Sequence, residues 1–437
     1  MTEKSTRRTF LQTSAAAAAA AAWALPAKSA QAQGAKAPSA NDTVVVGIMG
    51  VNARGSALAK GFADQKGCEI AYVCDVDDRA QAKASALVED RQGRKPKVVK
   101  DFRKILDDQS VDVLIVAAPD HWHAPATIMG CKAGKHIYVE KPCSHNPREG
   151  ELAIEASQKY KRVVNMGNQR RSWPMLRDAV KRVQAGDIGE VHYSRGWYNN
   201  RRGTIGNGKK VATPDWLDFD LWQGPAKRTD FRDNLVHYNW HWFWDWGTGE
   251  IGNNGIHCLD ICRWGLGADY PTKVVSAGQK LLHVDDDQQT PDSHVVGYHF
   301  ADNKMITLEC LSWHARGRED SQFGISFHGT SGSLVIGSGG SYKIYDERNK
   351  LLEEKSGPRD DADHLENFLS CVRTGGTPNS DIVEAHKSTM LCHLGNIAHR
   401  TGGVLDGIDP KTGQIPGNEK AMALWSREYE SGWEPTV

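Results

Sequence analysis

A short β-branched apolar run, TVVVGIM over residues 43–49, precedes GSALAKGFA at 55–63, whose apolar positions recur at helical spacing. The alternation continues. CEIAYVCDVDD (68–78) reads as a second strand ending in acids, RAQAKASALVEDR as a helix, and KVVKDFRKILDDQSVDVLIVAAP as a strand edge, a helix and a strong strand over 111–117. ATIMGCKAGKHIYVEKP adds a helix and a strand over 136–140. Near-continuous apolar runs suit strands buried on both faces, and helices between them predict a doubly wound parallel sheet.

The pattern changes near residue 165. VHYSRGWYNN, KVVSAGQKLLHV, HVVGYHF, MITLECLSW, FGISFHGT, GSLVIG and SYKIYD are longer and often alternate apolar with polar, with glycine and polar turns between them. That predicts a large, mostly antiparallel sheet, interrupted by helices at 175–185, 257–264, 363–373 and 384–401. The aromatic-rich stretch 198–255 has no regular period and reads as site-building loops. The fold class is therefore α/β: a Rossmann dinucleotide-binding domain over 43–165, then an α+β domain with a large open sheet over 166–437. No internal repeat is found.

Composition narrows the function classes. The 437 residues are 39% hydrophobic and 25% charged with formal net charge +0, so neither nucleic acid nor an anionic membrane is an expected partner. Nine scattered cysteines without a C-x-x-C pair argue against a metal cluster or a dense disulfide framework. STRRTFLQ (5–12) places Arg7 and Arg8 ahead of an alanine run, and Ala30-Gln31-Ala32 offers a cleavage site. This resembles a twin-arginine export signal. The expectation is a signal over 1–32, a linker over 33–42, engagement with the twin-arginine export machinery, and a periplasmic or otherwise exported protein.

The loop Gly50-Val51-Asn52-Ala53-Arg54-Gly55 lies between a predicted strand and a predicted helix, and Asp75 falls 20 residues after Gly55 at the end of the second strand. In that context backbone amides at a helix N-terminus hold a pyrophosphate and the acid binds ribose hydroxyls. The usual middle glycine is Asn52, which tolerates left-handed angles and carries an amide able to donate to phosphate. Asp75 favours NAD over NADP, because a carboxylate repels a 2′-phosphate.

Together with CDVD, AAPDHWHAP (117–125), AGKHIYVEKP (133–142) and GNNGIHCLDICRWGLG (252–267), the loop identifies a resemblance to the glucose–fructose oxidoreductase, inositol dehydrogenase and rhizopine-catabolism (Gfo/Idh/MocA) family. The resemblance covers essentially everything after the signal. It implies Lys141 beside the reactive sugar carbon and His257 as its catalytic partner, the pair sharing proton transfer, with Pro119, His123, Glu140 and Arg54 near the cofactor. A lysine merely paired with Glu140 is the alternative. The family's usual aspartate four residues before the histidine is Asn253 here, which can orient a hydroxyl but cannot accept a proton. Gln169, Arg170 and Trp240 are candidate substrate contacts; the indoles between 240 and 246 serve equally well as sugar platforms or as core. His121 and His123 form an H-x-H without further ligands at metal spacing, so no metal is expected. His237 and His241 stay unassigned, as does Asp260. By resemblance alone, a homodimer or homotetramer is expected.

The implied activity is hydride transfer between NAD and a secondary hydroxyl of a sugar, glycoside or polyol. Export adds a constraint, because cofactor lost outside the cytoplasm is not replaced. Retention for hours implies an off-rate on the order of 10⁻⁴ per second and a Kd of roughly 0.1 nM. Two alternatives remain open: a redox-neutral, NAD-dependent glycosidase working through a keto-sugar, and a catalytically silent sugar-binding relative.

Overall fold

The computed structural model describes residues 43–437; the export signal and linker expected at 1–42 lie outside the described residues. The first lobe is a six-stranded sheet formed by β1 (Val44–Met49), β2 (Cys68–Cys74), β3 (Lys97–Val99), β4 (Val113–Val116), β5 (His136–Val139) and β6 (Val164–Met166). Its order is β3-β2-β1-β4-β5-β6 and every pairing is parallel. Strand order reverses between β1 and β4, the place where such sheets open a crevice at the carboxyl ends of their strands. Helices α1 (Arg54–Ala63), α2 (Asp78–Gln92), α3 (Arg103–Asp107), α4 (Asp120–Lys132) and α5 (Pro147–Tyr160) connect them. Val46, Ile48, Val113 and Ile115 are fully buried, as double-sided cover requires.

The second lobe begins with α6 (Pro174–Ala185) and β7 (Val191–Asn199), then a short helix α7 (Phe219–Gln223) and α8 (Ile256–Leu266). Strands β8 (Lys273–Gln279), β9 (Ser293–His299), β10 (Met305–Leu311), β11 (Phe323–Gly329), β12 (Gly332–Gly337), β13 (Tyr342–Asp346) and β14 (Leu351–Lys355) follow. Helices α9 (Ala362–Thr374) and α10 (Ile382–Arg400) lead to the edge strand β15 (Val404–Asp406). The nine-stranded order is β14-β13-β12-β11-β7-β10-β9-β8-β15, antiparallel throughout except where β7 pairs with β10. One face is covered by α6, α8 and α10; on the other, Val275, Val295 and Val404 are more than two-fifths exposed.

Three differences from the sequence reading have physical causes. The strand expected through residue 284 stops at Gln279, and Leu281, Leu282 and Val284 are exposed beyond the sheet. Strands β14 and β15 went unpredicted: one is rich in Glu and Lys, the other three residues long, as edge strands often are. The division at 165 also does not separate the cores. Phe368 of α9 sits edge-on against Phe62 and Tyr138 of the first lobe, with ring centroids 6.3 and 5.7 Å away.

Candidate active site

At the carboxyl end of β1, Gly50 has φ +82°, and a Cβ there would lie 2.5 Å from the Ala118 amide nitrogen. Only glycine fits. Gly55, in the first turn of α1, lies under the loop: its Cβ would stand 1.7 Å from the Gly50 carbonyl oxygen. Asn52 is exposed and its φ is not positive, so the left-handed angle expected of it falls on Gly50 instead. One such residue suffices to reverse the chain. Helix α1 has no side-chain N-cap, leaving its leading amides open for an anion. This cradle, with the adjoining crevice, fits the pyrophosphate of a dinucleotide.

Asp75 closes the next strand. Its carboxylate accepts from the Val51 amide at 2.7 Å and the Asp77 amide at 3.0 Å. Burial raises its pKa against these two bonds. It lines the crevice, as a ribose-binding acid must. Arg54 and Glu140 hold each other: Nε lies 2.7 Å from Oε1, and Nη1 reaches Asp361 at 3.2 Å. Burial pushes the Glu140 carboxyl up, but the Arg54 guanidinium and the Lys141 ammonium outweigh it and keep the group below its ordinary value.

With Glu140 occupied by Arg54, Lys141 turns elsewhere. Its Nζ donates to the Asn253 carbonyl at 2.8 Å and to Asn253 Oδ1 at 3.3 Å, so the alternative of a simple lysine–Glu140 pair is not what forms. Asn253 lies in a π-helical turn, Ile251–Gly255, that runs directly into α8. Such a widened turn is a frequent device at functional sites. Asn253 and His257, four residues apart, both reach the same crevice, which has a volume of about 370 Å³. Burial drives the His257 pKa well below its ordinary value, and Arg170, Lys141 and Arg54 push it the same way. Its Nδ1 has no partner among the described residues.

His241, left unassigned by sequence, is the main addition. Its Nδ1 lies 2.6 Å from the Tyr238 carbonyl oxygen, which can only accept, so Nδ1 carries the hydrogen and Nε2 a lone pair. Burial lowers its pKa to about 3, and the ring stacks on Trp240 with centroids 3.6 Å apart. Nothing in the local pattern HYNWHW distinguishes it from a core histidine. Asp120 is also unanticipated: it lines the crevice, is 2% exposed, accepts from the Thr248 hydroxyl at 2.7 Å, and burial raises its pKa.

The other candidates divide. Pro119, His123, Gln169 and Trp240 line the crevice, and Gln169 Oε1 is buried without a partner among the described residues. His123 has a carbonyl oxygen beside each ring nitrogen, that of Pro142 2.6 Å from Nδ1 and that of Ala118 2.8 Å from Nε2, and a ring with one N–H donates to one of the two. His121 instead meets the Trp222 carbonyl at 2.9 Å, so the H-x-H pair does not converge. Arg170, expected to touch substrate, does not line the crevice. Its guanidinium lies 3.8 Å from the Phe323 ring centroid and 4.8 Å from that of Trp173, and burial lowers its pKa to about 10. The quadrupoles of two aromatic rings draw the cation away from the crevice. Asp260 holds Arg171 bidentately at 2.8–3.0 Å and does not orient His257. Of the four indoles, Trp242 and Trp246 are core, at 2% and 5% exposure.

Residues 44–168 match a family profile described as oxidoreductase family, NAD-binding Rossmann fold, and residues 177–435 one described as oxidoreductase family, C-terminal alpha/beta domain. A glycosyl hydrolase family 109 protein of Saccharopolyspora erythraea is 33% identical over 209 residues, 44% of this chain and 45% of that protein. An inositol 2-dehydrogenase of Salmonella typhimurium is 31% identical over 161 residues, 36% of this chain and 46% of its own. The matches thus span less than half the length of these relatives. Among solved structures, a levoglucosan dehydrogenase in complex with NADH and levoglucosan superposes with TM-score 0.66 at 18% identity, covering 84% of this chain and 100% of that one. An aldose–aldose oxidoreductase from Caulobacter crescentus complexed with glycerol gives 0.65 at 17%, covering 83% and 99%. At these identities the likeness is one of fold.

Proposed function

The chain belongs to the Gfo/Idh/MocA oxidoreductase family with its NAD-binding Rossmann domain, and from that membership we propose that it oxidises or reduces a secondary hydroxyl of a sugar, glycoside or polyol. One observation carries the reading: the glycine cradle, the Lys141 amine and two neutral imidazoles open onto the same crevice. Bound at the cradle and Asp75, NAD supplies the hydride acceptor. The residues of the chain do the rest. Lys141, held by both oxygens of Asn253, keeps a positive donor over the reacting oxygen and stabilises negative charge developing there. The hydroxyl proton needs a lone pair, which His241 offers at Nε2 because its Nδ1 hydrogen is held by Tyr238, with the His257 ring on the same crevice. Gln169 Oε1 and the Trp240 edge orient the sugar.

The test is a sugar panel, following nicotinamide absorbance and product together. Lys141→Met is expected to abolish turnover by wild-type substrates while cofactor stays bound; unchanged turnover would overturn the assignment. The glycosyl hydrolase family 109 relative favours a second reading, a redox-neutral cycle that oxidises, eliminates and reduces back. Product formed without net absorbance change selects it, and silence on both counts selects a binding protein.

The proposal extends to location and assembly. The twin-arginine pattern at residues 5–12 supports export with NAD already seated, and recovery of purified protein free of NAD would count against it. A homodimer or homotetramer through the face bearing Val275, Val295 and Val404 is supported by their exposure, and light scattering at monomer mass would rule it out.

A further inference from the structure

Behind the loop that carries Lys141 lies a second cavity of about 290 Å³, with Asn146, Trp244, Asn396, Arg400 and Arg427 in its wall. Among the described residues, four side chains there leave polar atoms without a partner: Asn146, Asn396, Arg427, and His145 at both ring nitrogens. Asn146, 5% exposed, spends its Oδ1 on the Glu149 amide at the start of α5, leaving Nδ2 unpaired. Asn396, 7% exposed, spends its Nδ2 on the Thr248 carbonyl at 2.8 Å, leaving Oδ1 unpaired. Arg427 uses Nε on Glu149 and Nη2 on the His121 carbonyl, leaving Nη1 unpaired. Each unmet group carries its full desolvation penalty unless something fills the space. A few ordered waters would serve a small void, but this volume is close to the ~300 Å³ at which small-molecule sites begin.

The wall also says what kind of molecule fits. Lys227, Arg400 and Arg427 face Asp245 and Glu428, and Arg427 is already paired with Glu149 at 2.7 Å, so no charge is left over to draw an ion. Burial holds His145 neutral, so its ring adds one donor and one acceptor, and the unmet atoms are three donors and two acceptors. A hydroxyl both donates and accepts, so several hydroxyls on one small frame satisfy such a set. Trp244, stacked under the Arg400 guanidinium at 4.9 Å, contributes an indole to the wall, a surface suited to sugar C–H groups.

We propose that this cavity is a second carbohydrate site, one that holds a single neutral monosaccharide unit on the unpaired atoms of Asn146, Asn396 and Arg427 beside Trp244. It stands apart from the redox reading, because none of these residues lines the crevice with the cradle. Its wall nonetheless touches that crevice. Residues 141–146 run unbroken from Lys141 to Asn146, and Thr248, bound by Asn396, donates its own hydroxyl to Asp120.

The test titrates NADH-loaded full-length protein with D-glucose, D-galactose and N-acetyl-D-glucosamine, reading heat and tryptophan fluorescence. At least one is expected to bind wild type and Lys141→Met equally. Asn146→Asp keeps the helix cap but removes the donor, and is expected to weaken binding at least tenfold; Trp244→Ala is expected to do the same and to lose the fluorescence change. Binding lost in Lys141→Met and kept in Asn146→Asp would assign the sugar to the crevice and overturn the proposal. Failure of all three sugars to bind wild type at 100-fold molar excess and above overturns it as well, leaving a hydrated void. Tighter binding of D-gluconate or phosphate than of any neutral sugar would make this an anion site.

Discussion

Gly55→Ala sets local preference against tertiary packing. Gly55 sits in a helix at an ordinary right-handed φ, where alanine is favoured by about 0.5–1 kcal/mol. The added carbon, however, would stand 1.7 Å from the Gly50 oxygen and 2.8 Å from its carbonyl carbon, where ordinary contact begins at 3.4 Å. The shortfall from ordinary contact to Gly50 O is 1.7 Å (3.4 minus 1.7). Gly50 has little room to supply it, since Ala117 and Ala118 backbone atoms lie 2.5–2.8 Å from where a Cβ of its own would stand. The start of α1 must therefore move by more than an ångström, carrying the anion-binding amides with it. Misplacement of about 1 Å costs on the order of 10²-fold in a preorganised site, so NADH affinity should fall about 100-fold. Fluorescence titration with NADH measures it, alongside a thermal melt. Gly93→Ala is the control. Its φ of +68° makes alanine strained, but nothing lies within 4 Å, so stability should drop by about 1–2 kcal/mol with NADH affinity intact. Retention of NADH affinity within threefold in Gly55→Ala would refute the close-approach argument.

Acid should unfold the protein early. Burial lowers His121, His241, His294 and His393 to about 3 and His364 and His386 to about 4, against an unfolded value of about 6.5. Between those limits the unfolded chain binds protons that the folded chain refuses, so stability falls as pH drops below about 6.5, by up to about 1.4 kcal/mol per pH unit for each histidine. Asp75, Asp120 and Asp381, raised by burial, act in the opposite sense but are three against six. A urea midpoint that stays flat from pH 7 to pH 5 would contradict this. His241→Phe keeps the stack on Trp240 and removes the lone pair; kcat/KM should fall about 10²–10⁴-fold with NADH affinity unchanged, and a loss under threefold would reassign the base. Arg171→Met leaves the Asp260 carboxylate, 1% exposed, without its partner and should cost about 3–5 kcal/mol by denaturant titration. A cost under 1 kcal/mol there would mean that Ser388, which donates to Asp260 at 2.6 Å, suffices alone.

The sequence alone determined what depends on near neighbours. Strand–helix alternation gave the parallel sheet, because period and length reflect which faces are buried. Gly50, Gly55 and Asp75 were legible because their spacing is set by one β–α–β unit. Asn253 and His257 were legible because four residues on a helical turn share a face. Only the tertiary structure decided the pairings that bridge distant segments. Glu140 chose Arg54 rather than its neighbour Lys141, Arg170 turned to Phe323 and Trp173, and His241 received its tautomer from Tyr238 in an irregular loop. A buried charge takes whichever partner lies nearest in space, and a loop without a period gives no sign of which side chain it will aim inward.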